Sequence, residues 1–165
     1  MLIVRYLPLT AHSGDIESLV DQQQHRRLTD RITSKAIRTC HGCQQKINGP
    51  LHLHASWDYE GHVQMLRAVN PLCQLCHILC HPHLTATPGQ SRAALDHLCA
   101  AHRLSPLQGI STMNRWKRMW GARNLVTFTV SDVRWLTQFV PKAKITQGNF
   151  TMGDLADWNA LESTH

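Results

Sequence analysis

The sequence predicts an α+β protein, with a small cysteine- and histidine-rich centre containing β-structure and helices on either side. Three observations carry this. Two Cys-x-x-Cys pairs, Cys40/Cys43 and Cys73/Cys76, bracket 29 residues that include the alternating segment LHLHASW. Helical patterns flank that centre, in SGDIESLVDQQQHRRLTDRITSKAIR before it and SRAALDHLCAAHRL after it. No internal repeat or low-complexity tract breaks the layout. A chain of 165 residues is expected to form one domain, or one domain with an appendage, and can bury an ordinary core without disulfides.

The chain divides into four parts. Residues 1–35 are an N-terminal extension, strand-like or extended over 1–12 and then helical, with Ser13 as cap and Asp15 and Glu17 near the positive helix end. Residues 36–85 hold the Cys/His-rich core, and TATPGQS after it reads as a linker. Residues 90–141 form a helical C-terminal region with a short strand. It comprises a helix capped by Ser91, a helix from about Pro106 to Trp120 ended by Gly121, a strand in LVTFTV, and a helix in SDVRWLTQFV capped at Ser131 and stopped by Pro141. Residues 142–165 are a tail too weakly patterned to predict order throughout.

A net charge of +6, a pI near 9.3 and twelve histidines favour a polyanionic partner, nucleic acid first. Basic residues gather in two places. Arg26, Arg27, Arg31, Lys35 and Arg38 lead into the first cysteine pair, and Arg115, Lys117, Arg118 and Arg123 surround Trp116 and Trp120. At helical spacing Met113, Trp116 and Trp120 form one stripe, expected to face a core beneath the solvated basic side. No base-reading motif accompanies either patch, so contacts are expected mostly with the phosphate backbone. MLIVRYLPLT lacks a basic leader and has only a short apolar run. No apolar stretch approaches the roughly 20 residues that span a bilayer. A membrane is therefore not an expected partner, and the expected compartment is a reducing cytoplasm, where paired cysteines more often mean metal than disulfides.

A two-residue gap lets both thiolates of a knuckle reach one ion, and two knuckles complete a tetrahedral structural zinc site: Cys40, Cys43, Cys73 and Cys76. A redox dithiol would need a βαβ setting, which the pattern does not offer. Cys80 and Cys99 are left as small buried apolar groups. In a strand, Leu51 and Leu53 would face the core while His52 and His54 face the other way together. His77 directly follows Cys76 and His81 lies four residues on, so both can share a helix face. Pro82 requires that helix to end near His81, with His83 as a substitute.

CxxC, a strand bearing histidines, then CxxCH with a further histidine resembles the HNH nucleases of the ββα-metal fold. The match is to the zinc-ribbon-bearing members found in bacteria, phages and plasmids. LHLHASWDYE and LCQLCHILCH correspond to a middle that reads roughly LHxHExWxY…LCxxCHxxxH, over about residues 36–84. The resemblance implies a ββα-metal core carrying a four-cysteine zinc ribbon, and metal-dependent cleavage of DNA phosphodiesters. By position it makes His54 the catalytic general base. It makes His77 and His81, with His52 from the same strand face, ligands of a second divalent ion: Mg, Mn, Ni or Zn. A duplex would lie across this unit, against Arg31, Lys35 and Arg38 and against Arg115, Lys117 and Arg118. The sequence departs from the pattern in two ways. The neighbours of His54 are Leu53 and Ala55, neither a metal ligand. The middle Asn of the motif has two candidates, Asn70, three residues before Cys73, and Gln64. The alternative reading is a catalytically inactive zinc-ribbon module that binds DNA or protein, and a thiol-redox or metal-handling protein stands third. Oligomeric state, DNA target and any targeting partner are left open.

Overall fold

The computed structural model describes residues 16–35, 38–81 and 88–139. The expectations for residues 1–12, Ser13, His83, Pro141 and the tail fall outside them. The chain is α+β, with a small three-stranded sheet and helices on both of its faces.

Two strands form the centre: β1, His52–Glu60, and β2, Val63–Leu72, an antiparallel hairpin whose turn carries Gly61 at φ 53°. Their register shifts between Ser56 and Trp57, leaving Arg67 as an extra residue on β2. The bulge changes which positions of β2 face which side. Gln64 and Leu66 before it and Val69 and Pro71 after it all pair with the Leu53, Ala55, Trp57 and Tyr59 face of β1. β3, Val130–Asp132, adds to β2 in parallel and gives the order β1-β2-β3.

One sheet face packs against α1, Ile16–Leu19, α2, Gln22–Lys35, and a 3-10 helix, Arg134–Gln138. Leu19, Leu28, Trp57, Leu66, Val133 and Leu136 are the buried centre of that layer. The N-terminal helical stretch is thus broken in two, and Asp21 caps α2 by accepting from the Gln24 N–H at 2.8 Å.

On the other face lies α3, Gln74–Cys80, which connects the sheet to an antiparallel helix pair: α4, Pro88–His102, and α5, Pro106–Arg123. α4 begins at Pro88, so Ser91 lies within it and part of the expected linker is helical; Pro is well suited to a first helical turn, where its missing N–H is not needed. α5 runs through Gly121 to Arg123, because a single glycine costs only about 1 kcal/mol in a helix whose other face is packed. Ser105 and Gln108 form a reciprocal capping box at its start. Met113 and Trp116 are buried and Trp120 packs beside them, as the stripe predicts. Residues 125–129 of LVTFTV are not strand; Thr129 gives its N–H to His62 O, and the ladder begins only at Val130. The expected Ser131-capped helix is instead two strand residues followed by the 3-10 turn, whose start Asp132 holds through Arg134 N–H. Among the described residues no helix is long and apolar enough to cross a membrane.

Candidate metal centres

The first centre is built by two turns. Residues 40–43 form a knuckle closed by Gln44 N–H to Cys40 O and Cys40 N–H to Gln45 O, both 2.9 Å. Gln44 sits at φ 60°, a left-handed position tolerated here because its amide also reaches His41 O. The knuckle is pinned to β2 by His41 N–H to Pro71 O at 2.8 Å. The second knuckle is the start of α3: Cys73 is its N-cap and Cys76 stands in its first turn. The four sulfurs lie within 4.8 Å of one another and all four residues are buried. Cys43 and Cys73 Sγ are 3.9 Å apart, close to the roughly 3.8 Å edge of a tetrahedron with Zn–S bonds of about 2.3 Å.

The thiols influence one another. A hydrogen bond from Cys76, with backbone N–H groups, pulls Cys40 down to about 4 against the effect of burial. Burial pushes Cys43 up to about 11, and Cys76 is pushed up chiefly by that same bond to Cys40, then by burial. One thiol ionises readily and its neighbours then resist. For all four sulfurs to ionise this close together, a cation would have to sit among them. The cluster can hold a zinc ion.

A histidine that the sequence did not flag adjoins it. His97, on α4, places Nε2 3.2 Å from Cys76 Sγ and 3.7 Å from Cys73 Sγ. Burial lowers its pKa, with the charge of Cys40 opposing. No local motif marks His97, which lies 21 positions after Cys76 and reaches it only through the packing of α4 on α3.

The second centre uses the same helix. His52 and His54 do share the outer face of β1, and α3 lies against it. The imidazoles of His54, His77 and His81 converge, with one nitrogen from each within 4.8 Å of the others. His77 and His81 approach at 3.0 Å between Nε2 atoms, and His54 meets both rings edge-on at centroid distances of 5.9 and 5.2 Å. α3 ends at Cys80, and His81 takes an extended C-cap conformation, φ −120°, as the following proline requires. His52 is not part of the group; it stacks on His77 at 5.1 Å and 13°. Burial, then the charges of His81 and His77, pushes His54 down to about 3, so its imidazole is neutral. Among the described residues no carboxylate joins either cluster.

The hairpin register separates the two amide candidates. Asn70 pairs directly with His54, on the histidine face, and donates Nδ2–H to Ser56 Oγ at 2.8 Å. Gln64 lies on the opposite face, fully buried, bonded to Ser131 Oγ. The basic residues divide as well. Arg31 is on α2, which packs on the sheet face away from the histidines, and its guanidinium lies over Phe139. Arg38 is exposed beside the first knuckle, and Arg115, Lys117 and Arg118 are exposed on α5. The Lys35 side chain is outside the described set.

No family model, curated protein or solved structure matches this chain.

Proposed function

We propose that this chain is a metal-dependent endonuclease of the HNH, ββα-metal kind, hydrolysing DNA phosphodiester bonds, with a structural zinc in the four cysteines. One observation supports this above the rest: three histidines, His54 from β1 and His77 and His81 from α3 and its cap, bring one nitrogen each within 4.8 Å of the others, beside the cysteine cluster in which α3 begins. A binding module has no physical need of that convergence. When bound, a divalent ion there would stabilise charge on a phosphate and acidify water.

The chain's own groups have the following parts in this reading. His77, on the last turn of α3, and His81, at its extended cap, would hold the ion by one nitrogen each. His54 is better suited as the third ligand than as the general base. Its nitrogen lies within 4.8 Å of one from each of the other two rings, which places it to share an ion with them. His52 keeps the His77 ring in plane by stacking. Asn70, tied to Ser56, fixes the strand pairing opposite His54. An all-nitrogen set favours zinc or nickel over magnesium, which prefers oxygen. Arg38, Arg115, Lys117 and Arg118 are left to meet phosphate, while Arg31 points to a different side.

The test is plasmid nicking by purified protein with EDTA, Mg²⁺, Mn²⁺, Ni²⁺ or Zn²⁺. Supercoiled DNA should be relaxed with Ni²⁺ or Zn²⁺. His54→Ala should lose cutting by at least two orders of magnitude while retaining its cysteine-bound zinc and its fold. Absence of cleavage with every ion, at one bound zinc per chain, would leave the non-catalytic zinc-ribbon module as the reading.

A further inference from the structure

Of the four cysteines, Cys73 borders a cavity beside the cluster, whereas Cys40 and Cys76 are wholly enclosed. That cavity, about 340 Å³, is lined by Cys73, Gln74, His52, Gln45 and His97. A zinc ion with four thiolates carries a net charge of about −2, which is costly to bury unless hydrogen-bond donors offset it. Cys40 has one such donor, the Cys73 backbone N–H at 3.2 Å. Beside Cys73 and Cys76, the side chain within reach is His97. Its Nε2 lies 3.2 Å from one sulfur and 3.7 Å from the other, hydrogen-bonding range for a sulfur acceptor. It is not grouped with all four sulfurs as a ligand would be.

We propose that His97 is a positioning residue of the zinc centre, donating its Nε2–H to the thiolates of Cys76 and Cys73. The bond disperses charge on these two sulfurs and slows their protonation or attack. It also fastens α4 to the ion, because His97 lies one residue before Leu98 in the buried seam between α3 and α4. A donor at a metal ligand typically changes metal affinity by about 10- to 100-fold. This rests on reading the four cysteines as a zinc site.

The experiment compares the zinc-loaded wild type with His97→Leu and His97→Gln. Zinc content is measured first, then the rate of zinc transfer to a chromogenic chelator, and the tautomer of His97 by ¹⁵N NMR. One zinc per chain, a proton on Nε2, zinc release at least about tenfold faster in His97→Leu, and near-normal release in His97→Gln are expected. Leu fills the space without a donor, whereas Gln restores one, so packing alone would not separate them. If His97→Leu fails to fold, the wild-type tautomer and His97→Gln decide. A zinc-loaded wild type with bare Nε2, or a Gln variant as leaky as Leu, would overturn the role of His97 alone. A wild type without zinc would overturn the zinc reading together with it.

Discussion

His54 shows how a residue's setting governs its chemistry. Its ordinary pKa of 6.5 is pushed down to about 3 by burial and by two neighbouring imidazoles. The unfolded chain therefore takes up a proton first, and stability is present above 6.5 and lost as pH falls toward 3. Urea unfolding at pH 7 and pH 5 should show a larger loss for wild type than for His54→Gln; equal losses would mean that His54 does not carry this penalty. The cysteines differ by setting as well. Burial pushes Cys80 up to about 12, and four others lie in the four-cysteine cluster. Only Cys99 is both part-exposed and outside it. Iodoacetamide at pH 8 should add one group to the native chain, at Cys99, and six after chelation and denaturation. Native labelling of the Cys-x-x-Cys pairs would instead support a redox protein.

At the scale of elements, α4 and α5 cross where Gly109 meets Cys99 and Leu95. A Cβ at Gly109 would sit 2.5 Å from Cys99 Sγ and 2.8 Å from Leu95 Cδ1. Two contacts that close outweigh the roughly 1 kcal/mol that alanine gains in helix propensity. Gly109→Ala should destabilise by about 1 kcal/mol, and the penalty should vanish or reverse in a Cys99→Ala background. Additive effects in the denaturation cycle would show that the helices do not meet there. A helix start at about Pro106 was readable, and the Ser105–Gln108 capping box in the structure fixes it there. The end was not: Gly121 reads as a stop, but Trp116 and Trp120 packing on α4 carries the helix past it.

At the scale of the molecule, α3 joins everything on the histidine side. Its first turn supplies Cys73 and Cys76, its side supplies His77, its cap supplies His81, and Ile78 and Leu79 fill the core with α4 and α5. Structural zinc commonly contributes on the order of 10 kcal/mol. Chelation should therefore abolish the cooperative melt, and hydrogen exchange should accelerate in α3 and α4 before α2 and β1, which share a separate apolar layer. Uniform protection after chelation would separate the fold from the metal.

Spacing alone determined the cysteine pairs, because two intervening residues fix the reach of both sulfurs to one ion whatever surrounds them. Alternation alone determined that His52 and His54 share a face, and a proline at 82 that the helix ends near His81. Tertiary structure decided what these local rules cannot reach. The Arg67 bulge and strand register put Asn70, not Gln64, opposite His54. The packing of α3 on β1 grouped His54 with His77 and His81 and left His52 stacked on His77. The docking of α4 brought His97 to the sulfurs. Each of these depends on how separate elements pack, and packing acts through distances between residues far apart in the chain, which no local pattern encodes.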